Sequence, residues 1–386
     1  MGPLHGTRIV EMGGIGPGPM CAMLLADMGA DVVRIERPGG DAMGLKTPPR
    51  FNLLLRGRPR IALDLKRASD VAIVLELIER ADALVEGFRP GAMERLGLGP
   101  DVCLPRNPRL VYGRMTGWGQ DGPLAHTAGH DLDYIALTGA LAAIGRSGAP
   151  PTPPLNLVGD FGGGALYLAF GIVCALNEAR GSGRGQIVDA AMTDGAASLM
   201  TMFYGLHAAG AHTRERGDNA LDSGAPYYDV YRCADGAWLA VAAIEMPFRL
   251  ELFRVLGLDE SEAVAADDKA HWPRIKALIA GRIAQRTRDE WCRILDATDA
   301  CTAPVLTLAE APDHPHNRAR GTFIEIGGII QPAPAPRFSR SVPRTPSPPA
   351  VELARVGDVL AEWGVPPERI AALVQNRDVD PKAATQ

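Results

Sequence analysis

Residues 7–36 constrain the fold more than any other stretch. TRIVEM (7–12) is a β-branched run, GGIGPGP (13–19) is a turn crowded with helix breakers, MCAMLLADMG (20–29) has helical spacing closed by Gly29, and DVVRIE (31–36) is again strand-like. Strand, helix and strand in succession make a βαβ unit, which requires parallel strands and a right-handed crossover. The alternation continues with a helix over 69–81, a strand over 83–88, a short helix after Pro90 and a strand over 109–115. A helix is expected to start at GHDLDY (129–134) and run through ALTGALAAIG, another over 160–178, and a strand at QIVDA (186–190). The expectation is an α/β domain over residues 1–190, a doubly wound, Rossmann-like parallel sheet.

At 386 residues the chain exceeds one comfortable core, and its texture changes near 220. YYDVYRC (227–233) and AWLAVAAI (237–244) flank Ala234-Asp235-Gly236, whose Asp-Gly suits the positive φ of a tight hairpin. Antiparallel pairing therefore predicts a smaller α+β domain over 220–315, reached through a linker helix at 191–219. Within it Thr287-Arg288-Asp289-Glu290 reads as a capping box. Residues 316–350, rich in proline and serine from Gln331 on, read as an extended linker returning to the large domain, and 351–386 as C-terminal helices.

A net charge of −5 with scattered basic residues gives no case for nucleic acid or an anionic membrane surface. No signal peptide precedes the first strand, no apolar stretch reaches about 18 residues, and the terminal KAATQ is no peroxisomal address. The six cysteines form no CxxC and lie mostly in apolar stretches, so buried free thiols are expected and zinc is disfavoured. These features predict a cytoplasmic protein without a metal.

Two stretches invite chemistry. The GGIGPGP turn, with Glu36 about 20 residues on, suggests a dinucleotide site, but starting from Gly14 or Gly16 the third glycine falls on Pro19 or Cys21, so nicotinamide is not expected. AGHDLDY (128–134) allows three readings: a capped helix start in an ordinary core, a proton-transfer site at His130, or a carboxylate nucleophile at Asp131.

Eight blocks in order carry a family resemblance: GIGPGP (14–19), DVVRIERP (31–38), LDLK (63–66), RMTGWGQ (114–120), AGHDLDY (128–134), PLNLVGDFGGG (154–164), LDSGAPYY (221–228) and AAIE (242–245). Through them the chain resembles the family III CoA-transferase superfamily, in its α-methylacyl-CoA racemase branch. The resemblance implies an interlocked homodimer whose chains thread one another through long linkers, acting on a 2-methyl-branched acyl-CoA thioester. The site would lie where the large domain of one subunit meets the small domain of its partner. No cofactor is implied, since coenzyme A belongs to the substrate.

Inverting a thioester α-carbon needs a base on one face, an acid on the other and a donor for the enolate oxygen. The resemblance gives the first two roles to His130 and Asp160, the oxygen to the backbone N–H of Asp131, and the orientation of His130 to Glu245. Histidine suits proton transfer because its pKa lies near neutrality, whereas Asp160 has to be raised by burial to hold a proton. The plainer alternatives are a structural histidine, a helix N-cap for Asp160 and a first-turn helix acid for Glu245. In the transferase branch Asp131 itself attacks the thioester. Two departures stand out: Met246 precedes the proline that usually follows Glu245 directly, and Asp133 replaces a common asparagine, where its charge would raise the pKa of His130 or face solvent. The matched substrate contacts are Arg37, the Leu63-Asp64-Leu65-Lys66 run, and Gly129, Leu132, Asp133 and Tyr134 around the histidine. Arg58 and Arg89 are secondary candidates whose plainer reading is surface charge.

Overall fold

The computed structural model describes residues 1–40, 44 and 47–379; the KAATQ terminus lies outside them. The N-terminal βαβ unit is present as β1 (Arg8–Met12), α1 (Pro17–Asp27) and β2 (Asp31–Glu36), with Val10 opposite Val33 in parallel register. Helix α1 starts at Pro17, earlier than the sequence suggested, because Gly16 turns the chain at φ 64° and proline is preorganised for a first helical position.

After β3 (Arg60–Ala62) come α2 (Ala68–Ile78), β4 (Ala83–Glu86), α3 (Ala92–Arg95), α4 (Pro100–Arg106) and β5 (Val111–Thr116). Strand β3, three residues long, is too short to leave a periodic signal. The GHDLDY helix is not continuous: α5 (Asp131–Leu137) and α6 (Ala140–Ala143) are separated at Gly139, which adopts the left-handed φ of 79°. The helix expected from Asp160 starts at Leu157 as a π-helical turn through Ala165 and continues as α7 (Leu166–Ser182). Strand β6 (Ile187–Ala191) and α8 (Met192–Leu199) follow.

The six strands pair in parallel in the order β3-β2-β1-β4-β5-β6. The winding reverses between β1 and β4, and such a switch point opens a crevice at the carboxyl ends of the strands. Alternate residues feed opposite faces: Val10 joins Val33, Leu77, Leu84 and Trp363 in one apolar layer, and Ile9 joins Cys21, Val32, Val85 and Ile172 in the other. Val359 and Leu360, near the C-terminus, seal the first layer.

The chain divides into two compact units, the first comprising residues 1–138, 155–199 and 320 onward, the second 139–154 and 200–319. In the second, after α9 (Thr201–Ala208), β7 (Tyr228–Arg232) and β8 (Trp238–Ala242) form the expected antiparallel hairpin around Gly236 at φ 83°. Helices α10 (Met246–Leu256), α11 (Glu260–Ala265), α12 (Trp272–Ile283) and α13 (Arg288–Leu295) pack beside it, and β9 (Thr302–Pro304) adds a third strand on β8. The capping box forms: the Thr287 hydroxyl accepts the Glu290 N–H at 3.2 Å and the Glu290 carboxylate accepts the Thr287 N–H at 2.8 Å. Residues 139–154 are held in this unit by Arg216, which donates to the Ala142 carbonyl, and by the Arg146–Asp229 ion pair.

Beyond α14 (Pro315–Arg320), the stretch read as linker opens with a hairpin, β10 (Phe323–Ile326) and β11 (Ile329–Pro332), before running without helix or strand to residue 350. α15 (Val356–Glu362) and α16 (Pro367–Val379) end the described chain. Two expectations need correction. Residues 157–182 form a helical run long and apolar enough to cross a membrane by length and composition. Its role here is a core helix on one face, through Leu168, Ile172, Leu176 and Ala179, while Leu166, Phe170 and Val173 stay exposed. All six cysteines are free, but only Cys21, Cys103 and Cys233 are buried; Cys174 and Cys301 are exposed and Cys292 is intermediate.

Candidate active site

The carboxyl edge of the large sheet gathers most of the candidate residues. β1 runs into the GGIGPGP turn, β2 into Arg37, β3 into Leu63–Lys66, β4 into Arg89, and β5 into the segment that carries Gly129 and His130.

The GGIGPGP turn is anchored from below by buried charge. Glu11, fully buried in β1, pairs with Arg34 at 2.5 Å and with Arg58 at 2.6 Å. Arg34 donates on to the Gly14 carbonyl at 3.0 Å and Arg58 to the Pro19 carbonyl at 3.0 Å, so both arginines end on the turn. Arg58 is thus neither a surface charge nor a phosphate contact; sequence reasoning missed it because nothing local pairs it with a residue 47 positions away. Glu36 is spoken for as well: Arg34 and Arg60 occupy its carboxylate at 2.7 and 2.8 Å, leaving no free ribose-binding acid.

His130 is the N-cap residue of α5 and its side chain is exposed. Asp133 accepts the backbone N–H of His130 at 2.9 Å. Asp133 is exposed, as one of the two sequence alternatives had it, and its carboxylate also fixes the start of the helix, for which the H-x-x-D spacing was the signal. Tyr134 donates its hydroxyl to the Gly129 carbonyl and packs edge-on against Trp118, ring centroids 4.7 Å apart. A Cβ on Gly129 would lie 2.7 Å from the Tyr134 ring, so glycine there lets the AGH segment close over the tyrosine. Burial, with the charge of Asp160 next, pushes the Tyr134 phenol up to about 12, which keeps it a neutral donor. Leu132 is exposed beside them.

Asp160 sits inside the first turn of the π-helical segment, whose N-cap is Asn156, so it is not the N-cap that the plainer reading made it. Single π-turns interrupt helices at functional sites more often than elsewhere. Here glycines make the turn compact: a Cβ on Gly163 would lie 2.6 Å from the Ala196 N of α8, and one on Gly195 1.8 Å from the Gly163 carbonyl oxygen. The Asp160 carboxylate faces the head of α1, since a Cβ on Gly16 would lie 3.0 Å from its Oδ2. Asn156 donates to that same oxygen at 3.1 Å. Burial raises the pKa of Asp160 above the ordinary 3.8; the Asn156 donor opposes the rise, the Asp131 charge adds to it, and His130 lowers it again. His130 and Asp160 are therefore within electrostatic reach of each other, from segments that leave β5 and precede α7.

Asp131, next to the histidine, is 7% exposed, and its Oδ1 accepts the backbone N–H of Asp160 at 2.6 Å. The loop residues divide. Leu63 is buried in the core, and Asp64 closes the turn by accepting the Lys66 N–H at 3.0 Å, whereas Leu65 and Lys66 line a surface cavity of about 420 Å³ with Val71, Leu75, Arg95 and Leu96. Arg37 and Arg89 are exposed, and Arg89 acts electrostatically on Tyr134. Glu245 lies in the second unit, exposed, as N-cap residue of α10, with Pro247 in the first turn behind it. It is not the first-turn acid of the plainer reading.

The pattern of CoA-transferase family III matches residues 4–352. An alpha-methylacyl-CoA racemase of Mus musculus is 46% identical over 380 residues, spanning 98% of this chain and 97% of that protein. One of Homo sapiens is 41% identical over 382 residues, with 98% and 97% coverage. Among solved structures, a CAIB/BAIF family protein from Brucella suis superposes with a TM-score of 0.80 at 25% identity, covering 94% of this chain and 99% of that one.

Proposed function

The chain belongs to CoA-transferase family III, and from that membership we propose that it is an isomerase, an α-methylacyl-CoA racemase that interconverts (R)- and (S)-2-methylacyl-CoA thioesters. The observation that carries this reading is the pairing of an exposed His130 with an Asp160 raised by burial, at the carboxyl edge of the sheet.

The α-hydrogen of a thioester is weakly acidic, so its removal needs a base close to neutral pKa and a donor for the enolate oxygen. His130 removes the proton in one direction, and Asp160, whose pKa burial raises, delivers one to the opposite face; in reverse the roles exchange. The backbone N–H of Asp131 receives the thioester oxygen. Glu245 orients His130 from the partner subunit of a homodimer, as a carboxylate holds an imidazole in one tautomer. The exposed Leu166, Phe170 and Val173 of α7 support such an apolar interface. Leu65 and Lys66 at their cavity, with Arg37, receive the nucleotide end of coenzyme A. No further cofactor takes part, and the enzyme works in the cytoplasm without nucleic acid or membrane.

The alternative within the family is transfer of CoA between carboxylic acids through an acyl-Asp131 intermediate. A carboxylate buried to 7% exposure, with one oxygen already accepting the Asp160 N–H, is poorly placed to attack. The discriminating experiment follows pure (S)-2-methylacyl-CoA by NMR in deuterated water without any acceptor acid. Deuterium entering the α-position together with the (R) epimer is the expected result. No exchange, followed by CoA transfer once a carboxylic acid is added, overturns it.

A further inference from the structure

The Asp131 side chain is more than the companion of a useful backbone N–H. Its Oδ1 accepts the Asp160 N–H at 2.6 Å, while its Oδ2 is buried with no hydrogen-bond partner among the described residues. The carboxylate also fills the space over Gly159, where a Cβ would lie 2.6 Å from Oδ1 and 2.8 Å from Cγ. A buried carboxylate oxygen left unpaired is costly, and so much acceptor capacity is not needed to secure one turn.

We propose that the Asp131 carboxylate is a positioning residue for Asp160: it pins the π-helical turn through the Asp160 N–H and, as a fixed negative charge, holds Asp160 in its proton-bearing form. The inference rests on the racemase reading and specifies who sets the acid. Two carboxyl groups sharing a small volume do not both ionise readily, and the one that is charged raises the other. The rise of Asp160, caused first by burial and also by Asp131, agrees with this.

The surroundings leave few rivals. From α5 and its N-cap, Asp131 and His130 bear on Asp160, His130 in the opposite sense, while Asp160 in turn raises Tyr134. Asn156 contributes a neutral donor. The one acid of α8, Asp194, acts on Asp189 of β6, whose carboxylate also takes the Gln120 N–H. In β5, Arg114 is paired with Glu86 and Glu94, and Asp27 of α1 is paired with Arg56.

The test is the pH dependence of kcat/KM for both epimers, in wild type, Asp131→Asn and Asp131→Ala, with thermal unfolding recorded alongside. Asparagine keeps the backbone N–H and an acceptor for the Asp160 N–H but removes the charge. In the direction where Asp160 is the base, activity falls at low pH as Asp160 takes up a proton. Asp131→Asn is expected to move that limb down by about one pH unit in a protein that unfolds at no lower temperature than wild type. Asp131→Ala is expected to move it the same way while unfolding at lower temperature, which keeps the test available should the asparagine variant fold poorly. A limb at the wild-type pH in a folded variant overturns the inference while leaving the racemase reading intact. Absence of α-hydrogen exchange in wild type overturns that reading first.

Discussion

His130 and Asp160, the proposed acid–base pair, stand in different environments. His130 stands exposed at a helix start with its backbone N–H held by Asp133. Replacing it by alanine is expected to lower α-hydrogen exchange about 10²–10⁴-fold in a protein that unfolds at the wild-type temperature, measured by NMR and by circular dichroism. Asp160 carries a cost that histidine does not. Its folded pKa lies above the unfolded value of 3.8, so between the two values the folded state holds more protons. Stability is therefore full below 3.8 and is lost as pH rises through that window, staying lost above it. Asp160→Asn removes the penalty: urea titrations should show the variant more stable than wild type near neutral pH, with the difference vanishing in acid, even as epimerisation falls by about 10² or more. A variant whose advantage does not depend on pH would contradict burial as the cause.

At the scale of elements, one π-helical turn and one buried ion network place these residues. Gly195 of α8 faces the Gly163 carbonyl so closely that a Cβ would sit 1.8 Å from its oxygen, and backbone cannot swing aside as a side chain can. Gly195→Ala is expected to cost about 3 kcal/mol or more by chemical denaturation and to reduce activity in parallel, since the displaced turn carries Asp160. Beneath the GGIGPGP loop, Arg58→Ala leaves Glu11 with one of its two cations and frees the Pro19 carbonyl; the loss of one partner from a fully buried carboxylate is expected to cost about 3 kcal/mol. Neither element was legible beforehand. A run of glycines announces a close approach without naming what approaches, and an i to i+47 ion pair leaves no periodic trace. The capping box at Thr287 and the Asp-Gly hairpin were legible, because each completes its hydrogen bonds within a few residues.

For the whole molecule, the two units carry different parts of the proposed chemistry: His130, Asp131 and Asp160 in the first and Glu245 in the second. If a partner subunit supplies the glutamate, His130→Ala and Glu245→Ala chains, each weakly active alone, should recover activity when co-refolded, because a mixed dimer then holds one intact site. Recovery absent from mixed dimers confirmed by mass would place both residues of a site on one chain. By itself the sequence determined the parallel βαβ sheet, the later antiparallel hairpin and the candidacy of His130 and Asp160, since strand alternation, turn chemistry and motif order are written in neighbouring residues. Only the tertiary structure decided that Asp131 reaches Asp160, that Arg58 is buried against Glu11, that Leu63 is core while Leu65 and Lys66 line a cavity, and that residues 139–154 belong to the second unit. Each of those facts depends on which side chains meet across elements distant in sequence, and long-range packing fixes that where local propensity cannot.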